Sequence, residues 1–145
     1  MLPRKIVGTA VIFLNEKGAL LIVKPDYRDG WLVPGGSVDE NESPLHCAIR
    51  ETKEEIGLAD IEMTLCGIYY AHAHDTHTDA LKFIYYGGML TEERILRIKL
   101  QTEELEQYTF VPPEEAIRLF STSLQKSIPK CLDAIKNKTV AYIES

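Results

Sequence analysis

The sequence predicts a mixed α/β sandwich folded as one domain over residues 1–145. Three observations lead there. Runs of β-branched and aromatic residues recur along the whole chain, as strands do. Between them stand segments with helical apolar spacing and cap residues at their ends. No repeat, low-complexity tract or linker divides the chain, and 145 residues at 45% hydrophobic content suffice for one core. Strands that alternate with helices pack as a covered sheet, not as a bundle or an all-β barrel.

The elements follow in order. "KIVGTAVIFLN" (5–15) and "ALLIVKP" flank a turn at Glu16-Lys17-Gly18 and read as a hairpin. "WLVPGG" reads as a short strand entering a Pro-Gly-Gly turn. Residues 44–56 read as a helix: Ser43 suits the N-cap, Pro44 the first turn, and Gly57 the position after the end. "IEMTLCGIYYAHA" and "ALKFIYYGGML" are two further strands, and "YTFV" is a shorter one. "PPEEAIRLF" and "LQKSIPKCLDAIKNK" read as helices, and "TVAYI" as a last extended piece.

Composition excludes several classes of function. No apolar run approaches the ~20 residues of a membrane span. The N-terminal "MLPRKIVGTAVIFLN" has strand character and no small-residue cleavage site follows it, so secretion is not expected. Cys47, Cys66 and Cys131 are odd in number and lack CxxC spacing, which argues for a reducing cytoplasm over disulfides or structural zinc. The formal net charge of −6 does not by itself attract nucleic acid or anionic lipid.

One segment conflicts with that bland picture. On the helix 44–56, Leu45, Ala48, Ile49, Thr52 and Ile56 form a stripe expected to face the core. Glu51, Glu54 and Glu55 fall on another face with Arg50 at its border. Their i,i+3 and i,i+4 repulsions each cost ~0.2–0.5 kcal/mol, and the helix C-terminus disfavours negative charge further. A solvated acidic face is one reading. A cation site is the other, since clustered carboxylate oxygens suit Mg²⁺, or Mn²⁺ in its place. Gly35-Gly36 just upstream lets backbone approach a ligand closely, which favours the second reading.

The segment from Gly36 to Leu58 resembles the signature of the Nudix (MutT-like) hydrolases. Gly36, Glu42, Arg50-Glu51, Glu54-Glu55, Gly57 and Leu58 stand at the family's spacing. Thr52 departs from it, standing where the family prefers an aliphatic residue; its hydroxyl is expected to bond back to the carbonyl of residue 48. Asp39 and Asn41 also differ from the common loop residues. The resemblance implies the Nudix fold, an α/β/α sandwich with a mixed β-sheet. It implies a Mg²⁺-dependent pyrophosphohydrolase that cleaves a nucleoside diphosphate linked to another moiety, by water attack at phosphorus. Nucleoside triphosphates, ADP-ribose and dinucleoside polyphosphates all stay open as substrates. By position, Glu54 and Glu55 would be the main metal ligands, with Glu51 binding metal or placing the water and the Gly35 carbonyl as a further ligand. Arg50 would orient Glu51, with Glu42 as its support and Gly36 and Gly57 as structural positions. A homodimer would be common on this fold. The alternative is a sensor module that binds a nucleotide without cleaving it.

Outside the motif, Lys24 and Arg28 precede it and are candidates for phosphate contact. Glu103 or Glu104 is a candidate to supplement the carboxylates. "AHAHDTHTDA" carries His72, His74 and His77. Three readings stand: a zinc site, substrate contact through His72 or His74, or an ordinary polar loop.

Overall fold

The computed structural model describes residues 1–73 and 78–145. His74 and His77 lie outside the described residues. Among the described residues, seven strands form one mixed sheet. They are β1 (Ile6–Asn15), β2 (Leu20–Pro25), β3 (Gly35–Ser37), β4 (Thr64–Ala71), β5 (Ala80–Leu90), β6 (Leu105–Val111) and β7 (Ala141–Glu144). The order is β6-β2-β1-β5-β4-β7, with β3 also pairing on β1. The β1–β5 and β4–β7 pairs are parallel and the others antiparallel.

Helices cover both faces, which gives the expected α/β/α sandwich. Helix α1 (Pro44–Ile56) packs on one face, and α3 (Pro113–Leu119) and α4 (Thr122–Asn137) on the other. Because both faces are buried, β1 reads as a continuous apolar run instead of alternating with polar residues. Its Val11 and Phe13 join Leu21, Val23, Ala48 and Ile56 under α1. Ala10 and Ile12 join Ile22, Ile84, Ile128 and Cys131 under α4. Cys47, Cys66 and Cys131 are all buried thiols. No helix among the described residues is long and apolar enough to cross a membrane.

The hairpin β1–β2 and the caps of α1 form where expected. Ser43 accepts a hydrogen bond from the His46 N–H at 3.1 Å, and Gly57 closes the helix at φ 73°.

Four expectations are corrected. The strand in "WLVPGG" lies later than read: Trp31 and Leu32 make only isolated bridges, while Gly35–Ser37 forms β3 against Gly8–Ala10 of β1. Two glycines here serve close approach, not a turn. The buried side of α1 is Cys47, Ala48, Thr52, Glu55 and Ile56, whereas Leu45 and Ile49 are 40% and 38% exposed. Gly35 and Gly36 of β3 allow that rotation, since carboxylates of the helix can lie directly against them. The Thr52 hydroxyl is fully buried and has no hydrogen-bond partner among the described residues, so it does not bond back to residue 48. Strand β6 begins at Leu105, earlier than read, because the polar Glu106 and Gln107 sit on a sheet edge where both faces need not be apolar. A short helix α2 (Glu92–Leu96), N-capped by Thr91, also went unread.

Candidate active site

The site begins with the loop and helix that place Arg50. Its guanidinium grips both oxygens of Glu42, Nε to Oε2 at 2.7 Å and Nη2 to Oε1 at 3.0 Å. Nη1 donates to Glu51 at 2.9 Å and to Glu54 at 3.1 Å. Nη2 also reaches the Ser37 carbonyl at 3.3 Å and lies 3.4 Å from an Asp39 oxygen. A planar fork with five donors can hold several carboxylates at once, which a lysine cannot. Glu42 is fixed from its other side by the Asp39 N–H at 3.1 Å. The Arg50 guanidinium and that N–H hold the Glu42 carboxyl down at about 2.

Glu55 stands apart from this fork. It is 7% exposed and accepts from the Gly35 N–H at 2.9 Å. Burial pushes its carboxyl up to about 8; the Gly35 N–H opposes that, and the negative charges of Glu51 and Glu104 add to it. Burial also raises Glu51, with Arg50 pulling the other way. Two carboxylates in one poorly hydrated place resist joint ionisation unless a cation joins them.

Gly36 explains how Glu51 fits. A Cβ there would lie 2.5 Å from the Glu51 carboxylate, so the position is open to that side chain only while it is glycine. Gly35 likewise lies against Thr9 of β1, at φ 156°. The chain end of α1 is tied down by Lys99 and Gln101, whose N–H groups donate to the Ile56 and Glu55 carbonyls at 2.9 Å each. That segment leads to Glu104 and so brings a fourth acidic group toward Glu55.

The donor set of hard carboxylate oxygens fits a divalent cation such as Mg²⁺. The buried Glu55 beside Glu51 fits one too, because burial opposes the ionisation of both and a cation would offset it. The described residues do not yet converge three carboxylate, His or Cys groups on one point. Arg50 supplies the counter-charge and holds Glu51 and Glu54 toward itself.

A family model described as NUDIX domain matches residues 4–131. The chain belongs to the Nudix family. Among its curated relatives in that family, an RNA pyrophosphohydrolase of Hydrogenovibrio crunogenus is 40% identical over 60 residues, which is 41% of this chain and 36% of that one. The match therefore spans about a third of that relative's length. An RNA pyrophosphohydrolase of Nitratiruptor sp. is 27% identical over 126 residues, covering 81% of each chain. In structure, the MutT protein of Methanosarcina mazei overlays with a TM-score of 0.76 at 20% identity, covering 94% of this chain and 99% of that one. That likeness shows the Nudix fold.

The other candidate residues are dispersed. Lys24 lies 3.6 Å from Glu106 across the β2–β6 edge. His72 lies 3.4 Å from Glu144, packs edge-on against Tyr70, and donates its backbone N–H to the Ser145 hydroxyl. Arg28 instead lines a cavity of about 430 Å³ that opens beside Gly35–Ser37. The same cavity is lined by Lys82 of β5, which sequence reasoning missed. A lone lysine within a strand carries no signal until the neighbouring strands are known.

Proposed function

We propose that this Nudix protein is a divalent-metal-dependent hydrolase of phosphoric anhydrides. Its substrate would be a nucleoside diphosphate linked to another moiety, of the nucleoside triphosphate, ADP-ribose or dinucleoside polyphosphate type. The observation that carries this reading is the divided carboxylate set of α1: Glu42, Glu51 and Glu54 on the Arg50 fork, and Glu55 buried against Gly35. A merely solvated acidic face would neither bury Glu55 nor seat the Glu51 carboxylate where a Cβ at position 36 would stand.

Glu51, Glu54 and Glu55 are the residues that would hold Mg²⁺, or Mn²⁺, and the Gly35 carbonyl would join them. When bound, the ion neutralises phosphate oxygens and makes water more nucleophilic. The chain's own residues do the rest. Arg50 keeps Glu51 and Glu54 in fixed rotamers, and Glu42 keeps Arg50 in place. Glu51, half-buried beside Glu55, would bind the ion or place the water that attacks phosphorus, with Glu104 as a supplementary carboxylate. Holding nucleophile and phosphorus in line is most of what such a reaction requires. Lys24, Arg28 and His72 remain candidates for substrate contact, of which Arg28 has the position that favours it. The buried thiols agree with a reducing, cytoplasmic setting.

Relatives named RNA pyrophosphohydrolase make a triphosphate-bearing RNA 5′ end a reasonable member of the substrate panel, although the net charge of −6 favours a free nucleotide. The test is incubation with Mg²⁺ and nucleoside triphosphates, ADP-ribose, dinucleoside polyphosphates and triphosphorylated RNA, with products resolved by chromatography. Cleavage of one class well above the others supports the reading. Tight binding with no product from any class would favour the sensor alternative instead.

A further inference from the structure

The cavity beside β3 has a polar point that the hydrolytic chemistry leaves unused. Its floor is the sheet face under α4, where Lys82 of β5 lies opposite Gly8 of β1 and Tyr69 of β4. Directly paired residues project to the same face, so the absent side chain at Gly8 leaves room beside the Lys82 stem. The walls near it are mostly apolar and aromatic, with Leu32, Val33, Tyr69, Leu81 and Leu124 among them. Lys82 is half-buried. Among the described residues, no carboxylate lies within ion-pair distance of it. Burial depresses its ammonium pKa, and the positive charge of Arg28 depresses it further.

A half-buried cation with no carboxylate partner among the described residues, set in a largely apolar slot, calls for an acceptor from the ligand. A phosphate would find Arg28 and Lys82 as donors here, but the apolar walls would strip the rest of its water. A flat ring is well matched: apolar walls cover its faces while one polar edge meets the ammonium. Lysine donates readily to the O6/N7 edge of a 6-oxopurine, whereas the exocyclic amine of adenine points a like-signed N–H at it. The cavity runs to Gly35–Ser37, the strand on which Glu55 docks, so the glycines of β3 join a base seated at Lys82 to the carboxylates of α1.

We propose that Lys82 is a specificity-determining residue that selects guanine or hypoxanthine nucleotides over adenine nucleotides by donating to the O6/N7 edge of the base. The proposal rests on the anhydride-hydrolase reading for the purpose of base selection, but its test does not require turnover. Binding of GMP, IMP and AMP, which carry no anhydride bond, is measured by calorimetry for the wild type, Lys82→Met and Lys82→Gln. The wild type should bind GMP and IMP about tenfold or more tighter than AMP. Lys82→Met should bring all three within about twofold while leaving AMP nearly unchanged. Lys82→Gln, whose amide can pair with adenine N6 and N7, should move the preference toward AMP. Equal affinities in the wild type, no measurable GMP binding, or a preference that survives both substitutions overturns the proposal. Cleavage without base preference would sink the role of Lys82 alone. Base preference in binding with no cleavage of any triphosphate would sink the hydrolase reading alone.

Discussion

The two faces of the sheet hold charge in opposite ways. Under α1 the charges are crowded and tied: one guanidinium serves Glu42, Glu51 and Glu54, and a backbone N–H serves Glu55. Under α4, Lys82 shares an open slot with Arg28 and has no carboxylate partner among the described residues. The first arrangement fixes geometry before any ligand arrives, as bond-breaking at phosphorus demands. The second leaves donors for a ligand to fill, as selection demands. On the proposed reading, chemistry and selectivity would occupy different sides of β1, joined at the glycines of β3.

The largest effect that sharpens this contrast should come from the tied face. Glu54→Gln preserves shape but removes a charge, and Glu54 is half exposed, so the fold should survive. A loss of about 100-fold in kcat or more is expected, equivalent to ~2.7 kcal/mol of transition-state stabilisation. Steady-state kinetics on the best panel substrate check it, and near-wild-type turnover would detach Glu54 from the reaction.

Next in size is Arg50→Lys. An ammonium cannot reproduce the bidentate hold on Glu42 together with the contact to Glu51. About a tenfold or greater fall in kcat should accompany a lower Tm. Unchanged values for both would mean that the fork is ornamental.

A pH effect follows from Glu55. Burial lifts its folded pKa to about 8, above the ordinary carboxylate value of 4.5, so the fold favours the protonated form. That contribution to stability is fully present below about 4.5 and is lost as pH rises toward about 8. Glu51 shifts in the same direction. In chelator, Tm should therefore fall between those pH values relative to Glu55→Gln, in which the fall should shrink. A wild-type Tm that rises or stays level relative to Glu55→Gln across that window contradicts the assignment.

The smallest effect belongs to Thr52. Its buried, unpartnered hydroxyl lies on the core side of α1. Thr52→Val should add about 1 kcal/mol, or about 2–4 °C in Tm, and leave kinetics alone. Thermal unfolding that shows destabilisation would mean the hydroxyl has a partner after all.

These contrasts also explain what could be read from sequence. Helix α1 was legible because its caps and acidic spacing are local: Ser43, Pro44 and Gly57 act within one turn of their own positions. Its rotation was not. Labelling Leu45 and Ile49 as core assumes that carboxylates face water, and Glu55 breaks that assumption by docking on Gly35. Strand β3 was misplaced because Pro-Gly-Gly has the chemistry of a turn, while its use here depends on Thr9 and Glu51, which are distant in sequence. Lys82 was invisible for the same reason. Only the pairing of β5 with β1 and β4 puts it beside Gly8 and Tyr69. Polar strands such as β6 were shortened because edge positions tolerate Glu106 and Gln107 without any local signal. Local chemistry survives translation from sequence, and tertiary adjacency does not.

The most direct test of the central claim is the rate of anhydride cleavage as a function of Mg²⁺, measured side by side for the wild type and Glu54→Gln. The account predicts no product in chelator, saturable activation of the wild type, and a variant slower by about 100-fold even at high Mg²⁺. Cleavage that persists in chelator, or a variant that matches the wild type at every Mg²⁺ concentration, would show that the acidic face of α1 is not where the reaction occurs.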